Sequence, residues 1–232
     1  YTGTETAAYL DLAARGRVGK SFMSVLARIH SVDPAAVGLG DLGRPDGYIG
    51  RQLRTWYGSW TASAEAADYD DAQVHLLHEW LLDNVPEQGP GRVVHGDYGL
   101  HNSMVSTDGE VVAVLDWEIA TLGDPLADFA YALNAWTEPT DPNAAGGDAV
   151  TTIEGFSSRD DLMSYYASET GADLSNLSYY RSFSSFKNAC IVHGVYARYV
   201  RGQKSTDGVD VQGLYDQIRT SIDLSAAHAA AT

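Results

Sequence analysis

Cysteine is almost absent from this 232-residue chain, with Cys190 the only one. That excludes an intrachain disulfide framework and any cysteine-based zinc site. Cys190 lies in an apolar stretch, so a buried, inert thiol is expected rather than a nucleophile. Basic residues are scarce too: 15 Lys and Arg stand against 31 Asp and Glu, for a formal net charge of -16. Affinity for a phosphate backbone needs clustered Lys and Arg, so no nucleic-acid partner is expected. An anionic membrane surface is disfavoured for the same reason. No run approaches the ~20 apolar residues of a membrane-spanning helix, and no basic-then-apolar leader opens the chain. A cytoplasmic protein is the default expectation. The first residue is Tyr1, not Met, which suits a processed chain, a trimmed one or a piece of something longer.

What is present is the composition of a globular protein, 44% hydrophobic and 20% charged, with length enough for a sizeable core. Apolar residues recur at helical offsets from Thr6 to Ile29, and Asp33-Pro34 stops that run. Residues 35–45 read as a Gly-rich loop. Ile49, Leu53, Trp56 and Trp60 mark an amphipathic helix over 48–60, and Val74, Leu77, Leu81 and Val85 another over 69–85. His75 and His78 sit one turn apart on the latter. No carboxylate motif joins them, so a solvated helix face is the reading preferred to a metal site.

The pattern then changes. Residues 92–95 are β-branched and read as a strand. Thr107-Asp108-Gly109-Glu110 is an Asp-Gly hairpin turn. Val111 to Trp117 is nearly all apolar and reads as a strand buried on both faces. Asp124 and Pro125 open a helix as N-cap and first helical residue. Residues 137–152 read as a mobile loop, 158–169 as a helix, and 179–200 as a long helix apolar enough for the core. A last helix spans 214–224, followed by an Ala-rich tail expected to fray. The fold class is mainly α with a small β-hairpin.

The informative segment is His95-Gly96-Asp97-Tyr98-Gly99-Leu100-His101-Asn102, followed by Leu115-Asp116-Trp117-Glu118. A hairpin brings the start of its first strand beside the end of its second, so Asn102 and Asp116 should be neighbours. Hard oxygen ligands converging in this way suit Mg²⁺, which takes one or two carboxylates, an amide oxygen, waters and substrate phosphates. Asp97 nearby could accept a proton from a hydroxyl. Singly, Asp97 and Asn102 read as turn residues and Asp124 as an N-cap. Their joint occurrence outweighs those readings. Zinc held by His95 and His101 is the weakest option, since no third ligand is at hand.

His-Gly-Asp-x4-Asn, then Leu-Asp-Trp-Glu, then Gly123-Asp124-Pro125-Leu126-Ala127-Asp128 resembles the aminoglycoside phosphotransferase and choline-kinase-like small-molecule kinases. Tyr48-Ile49-Gly50-Arg51-Gln52-Leu53, Leu122 to Pro125, and Phe186-Lys187 through Tyr196-Ala197-Arg198-Tyr199 look like the kinase-like domains associated with acyl-CoA dehydrogenases. The resemblance spans roughly the whole chain. It implies a protein-kinase-like C-terminal lobe over residues 1–232, with the catalytic loop and metal-binding hairpin at about 92–118. It implies Asp97 as the catalytic residue that orients or deprotonates the acceptor hydroxyl. Asn102 and Asp116 would ligate Mg²⁺ on ATP. His95, Asp124 and Asp128 would support the catalytic loop. Phe129 stands where the family usually has Leu. Gly96 replaces the Arg that receives an activation-loop phosphate in many protein kinases, and no separate activation segment lies between Glu118 and Gly123, so control by loop phosphorylation is not expected. Glu118 is a candidate second carboxylate near the metal.

A kinase of this type also needs a β-rich lobe with a nucleotide-covering loop and a Lys on its third strand. The only lysines are Lys20, Lys187 and Lys204, and none follows a suitable strand. The expectation is that the N-terminal ATP-binding lobe is absent from this chain, that it is a partner, and that the segment alone turns over little ATP. The expected activity is ATP- and Mg²⁺-dependent transfer to a hydroxyl of a small molecule. Alternatives are a non-catalytic binding module and an Mg²⁺-dependent phosphate-ester hydrolase. The acceptor is left open between an aminoglycoside-like cation and a hydroxyacyl-CoA-like anion, for which Arg51, Arg54, Arg198 and Arg201 are possible partners.

Overall fold

The computed structural model describes residues 3–142, 144 and 149–232. Among them the chain forms eight α-helices and four short strands. In order these are α1 (Gly3–Tyr9), α2 (Leu12–Ser31), α3 (Tyr48–Ala67), α4 (Ala72–Asp83), β1 (Arg92–Val94), β2 (Ser103–Val105), β3 (Val111–Val114), β4 (Thr121–Gly123), α5 (Pro125–Ala135), α6 (Arg159–Thr170), α7 (Leu177–Val200) and α8 (Val211–Ala230). Two compact units result, one from Tyr1–Asp46 with Gly89–Ser175, the other from Gly47–Gln88 with Asn176–Thr232.

The first unit holds all four strands. β2 and β3 form the expected hairpin, with Ser103 opposite Val114 and an irregularity at Met104–Val105. Gly109 has φ +84 in its turn, and a Cβ there would lie 2.1 Å from Ala14 O. Only glycine meets both demands. A second antiparallel ladder pairs β1 with β4, Arg92 opposite Gly123. β4 has just three residues, too few for a periodic signal. The core beneath is aromatic. Phe22 stacks on Tyr98 at 4.4 Å between ring centroids, and the Tyr98 hydroxyl donates to Phe22 O at 2.7 Å. Phe129 stacks on Tyr166 at 4.1 Å. α6 starts with a capping box between Ser158 and Asp161, which satisfies donors that a helix start leaves orphaned.

In the second unit α3, α4 and α8 pack on α7. α7 is buried along most of its length, Cys190 included. Burial pushes the Cys190 thiol far up, which makes it inert. Ser182 bonds Ser225 O at 2.8 Å, tying α7 to α8. Trp60 stacks on His193 at 3.8 Å.

Four expectations are corrected. The helix expected over 6–29 breaks at Leu10–Asp11, because Asp11 caps α2 by accepting from Ala14 N at 2.7 Å. The strand expected over 111–117 ends at Val114 and is not buried on both faces: Val112 is 64% exposed and Leu115 46%. An apolar run is thus no proof of burial. α8 continues to Ala230 instead of fraying after 224, since alanine is the best helix former. His78 is not solvated but stacks on Tyr57 at 3.8 Å, and burial lowers its pKa. His75 bonds the Tyr57 hydroxyl and Asp70. The loop expected over 137–152 lies partly outside the described residues. Of it, Thr151 donates to Thr137 O at 2.7 Å.

Candidate active site

β1 delivers His95 to the start of a loop that must turn sharply. Gly96 takes φ +85, and a Cβ there would crowd Ile119 at 3.1 Å. The loop is held from below by Asp128, in the first turn of α5. Its Oδ2 accepts the His95 N–H at 2.7 Å and its Oδ1 the Gly96 N–H at 2.8 Å. Burial pushes this carboxyl up, but His30 and the two backbone donors outweigh burial and hold it below the usual carboxylate range. Asp124 caps α5 through Leu126 N at 3.0 Å, with Pro125 in the first turn. His95 Nε2 lies 2.8 Å from Leu115 O and donates to it, which leaves Nδ1 to accept the Asp97 N–H at 3.3 Å. One imidazole thus braces the loop against the segment that follows β3.

Asp97 is half-buried and surrounded by donors. Oδ1 accepts from the Tyr131 hydroxyl and faces His101 Nε2 at 3.3 Å. Oδ2 accepts from Asn102 Nδ2 at 3.0 Å. Burial alone would raise the Asp97 pKa. The bonds from His101, Tyr131 and Asn102 outweigh it and bring it down to about 2. Reciprocally, the Asp97 carboxylate raises the His101 pKa against its partial burial. A carboxylate offers about four acceptor sites. Among the described residues three are taken, which leaves one on Oδ2.

Asn102 ends a single 3₁₀ turn, Leu100–Asn102, and is buried. Its amide nitrogen is committed to Asp97 O and Oδ2, so only its Oδ1 could serve a cation. The Asn102 carbonyl accepts the Leu115 N–H at 2.8 Å, which places Asn102 beside the residue before Asp116. Asp116 is exposed and has φ +61, uncommon for a residue with a Cβ. Left-handed backbone here turns the chain out of β3 at the carboxylate. Glu118 is exposed in the next turn. Among the described residues no three His, Cys, Asp or Glu side chains form a closed metal site. The donors present, one amide oxygen and one carboxylate, fit an open Mg²⁺ site completed by phosphates and waters.

The structure therefore brings Asp97, Asn102, His95 and Asp128 into one hydrogen-bonded group, with Asp124 capping the helix that supports it. Asp116 adjoins the group through the hairpin. Glu118 contributes no bond to it. Sequence reasoning missed Tyr131, and it weighed His101 only as a zinc ligand, not as a partner of Asp97. Tyr131 lies three residues after Asp128, hence on the same face of α5, and that spacing was the available signal. His101 is four residues after Asp97 in a non-periodic loop and left none. Arg54, Arg198 and Arg201 are exposed, in the second unit.

Known proteins resemble this chain in sequence and in fold. Acyl-CoA dehydrogenase family member 11 of Gallus gallus is 36% identical over 192 residues, 80% of this chain but 24% of that protein. The chain thus spans about a quarter of that relative's length. The crystal structure of a candidate aminoglycoside phosphotransferase from Ralstonia eutropha superposes with a TM-score of 0.77 at 30% identity, covering 94% of this chain and 66% of that one. The ADP-bound aminoglycoside phosphotransferase APH(2'')-Ib shares the fold with a TM-score of 0.51 at 11% identity, over 91% of this chain and 65% of that one. The model of the phosphotransferase enzyme family matches residues 2–160, a span that takes in the His95–Asn102 loop, the hairpin and α5. The chain belongs to that family, with the protein-kinase-like fold of its aminoglycoside phosphotransferase neighbours.

Proposed function

We propose that this chain carries the catalytic half of an enzyme that moves the γ-phosphoryl group of ATP to a hydroxyl of a small molecule. The observation that carries the reading is the Asp97–Asn102 pair. Among the described residues one acceptor site on Asp97 Oδ2 is left open, and the Asn102 amide nitrogen that holds this oxygen leaves its own Oδ1 to serve as a ligand, one hairpin bond away from the residue before Asp116.

In the reaction the acceptor hydroxyl binds at Asp97 Oδ2. Its oxygen forms the new bond to the γ-phosphorus as the bond from that phosphorus to the ADP oxygen breaks. The hydroxyl proton passes to Asp97. A carboxyl held down at about 2 is a weak base, so Asp97 acts chiefly by orienting the nucleophile and takes the proton late, as suits a loose phosphoryl-transfer transition state. Asn102 Oδ1 and Asp116 would hold Mg²⁺, which when bound neutralises charge on the phosphates. His95, Asp128 and Tyr131 fix the loop and the carboxylate.

The acceptor class we put first is a hydroxyacyl thioester, on the strength of the acyl-CoA dehydrogenase relative. An aminoglycoside-like cation is second, on the strength of the structural neighbours. Turnover needs a nucleotide-covering lobe, for which these residues supply neither a Gly-rich strand-turn-strand nor a strand lysine. The test is γ-labelled ATP with the longer protein and both acceptor classes. Label on the acceptor, lost in Asp97→Asn, supports transfer. Label in inorganic phosphate alone indicates a hydrolase.

A further inference from the structure

Behind the loop-holding carboxylate lies a buried polar chain that the catalytic reading leaves unused. His30, near the end of α2, places Nε2 3.3 Å from Asp128 Oδ2 and Nδ1 2.7 Å from the Tyr166 hydroxyl of α6. His30, Asp128 and Tyr166 are 5%, 3% and 1% exposed. We propose that His30 and Tyr166 are positioning residues for the catalytic loop, acting through Asp128. The proposal rests on reading that loop as the phosphotransfer site.

Burial, then the charges of Asp128 and Asp124, push the Tyr166 pKa far up, so its hydroxyl keeps its proton and pairs with Nδ1 as a neutral group. His30 Nε2–H then donates to Asp128, which is ionised. The Tyr166 hydroxyl pairs with His30 Nδ1, His30 Nε2–H pairs with Asp128 Oδ2, that same oxygen accepts the His95 N–H, and Oδ1 accepts the Gly96 N–H. Three donors, from His30, His95 and Gly96, thus converge on the Asp128 carboxylate.

A buried histidine needs partners in any protein, so partnership alone shows nothing. What separates this one is the atom it chooses. His30 bonds the very oxygen that holds the His95 N–H, so it sets from behind the rotation of the carboxylate that fixes the loop. Tyr166 is itself immobilised, since it stacks on Phe129, the residue after Asp128, with an interplanar angle of 11°. The α5 helix carries Asp128 and, one turn on, Tyr131, which bonds Asp97 directly. A carboxylate that rotates off the His95 and Gly96 amides therefore frees one end of the loop while Tyr131 still holds the other. Asp97 would then keep its partners and lose its aim.

Hydrogen exchange of the His95 and Gly96 amides tests this without requiring turnover. The variants are His30→Phe, which fills the space without donors, His30→Gln, which restores a donor, and Tyr166→Phe, which removes only the outer hydroxyl. Exchange of both amides should quicken about tenfold in His30→Phe and return to within about threefold in His30→Gln, while α7 amides keep their protection. Tyr166→Phe should lie between and covers the case in which His30→Phe does not fold. In the longer enzyme the phenylalanine variant should lower kcat about tenfold with KM for MgATP unchanged, and glutamine should restore it. Unchanged loop exchange in folded His30→Phe or Tyr166→Phe, or equal acceleration over the whole chain, overturns the relay. Absence of ATP transfer in wild type, with the loop exchange as described, removes the phosphotransfer reading and leaves the relay as a loop anchor only.

Discussion

Asn102 Nδ2 donates to Asp97 Oδ2 at 3.0 Å, so one side chain orients the carboxylate while its own amide oxygen takes no part in that bond. Removing it separates two functions. Asn102→Ala should weaken binding of Mn²⁺, used as a probe for Mg²⁺, by about tenfold or more. Asn102→Asp should also fail to hold Asp97, because it sets carboxylate against carboxylate. Water-proton relaxation of the Mn²⁺-loaded chain measures both.

Tyr131→Phe keeps the ring and removes one donor from Asp97. In the longer enzyme kcat should fall about tenfold with little change in KM for MgATP, since the lost bond orients the nucleophile and touches no phosphate. Steady-state kinetics at saturating acceptor read the split.

The fold of the loop was more legible than its fastening. His95, Asp97, Asn102, Asp116, Asp124 and Asp128 stand in ordered, spaced motifs, and the helices around them show regular apolar offsets. Tyr131 left only its three-residue spacing from Asp128, while His101, His30 and Tyr166 reach their carboxylates in three dimensions, where no spacing announces them. The strand after the hairpin turn misled because its apolar residues, Val112, Leu115 and Trp117, face outward. Composition cannot distinguish an apolar surface from a core. β4 went unseen because three residues carry no period.

Acid should loosen this site within a defined window. The Asp97 pKa is lowered from 3.8 to about 2 in the folded chain. Its stabilisation is full above the ordinary value and is lost as pH falls through the folded one. His101 moves the other way: its raised pKa gives stabilisation that is full below about 6.5 and fades as pH rises through the folded value. Urea unfolding should show Asp97→Asn losing its deficit relative to wild type between about pH 4 and pH 2, with His101→Gln losing its own on the alkaline side. Both groups are partly exposed, so the effects will shrink with added salt.

Asp128→Ala leaves the His95 and Gly96 amides buried without an acceptor. Destabilisation of about 3 kcal/mol or more is expected. Asp128→Asn should be nearly as damaging, because one of its two positions becomes a donor facing a donor. Chemical denaturation of the two variants beside wild type gives the comparison.

The most direct test of the central claim is the fate of γ-labelled phosphate when the longer enzyme meets ATP, Mg²⁺ and a hydroxyacyl thioester or aminoglycoside. Label should appear on the acceptor hydroxyl, and Asp97→Asn should cut transfer by about a hundredfold or more while MgATP binding persists. Transfer at the wild-type rate in Asp97→Asn, or label found only in inorganic phosphate, would contradict the account.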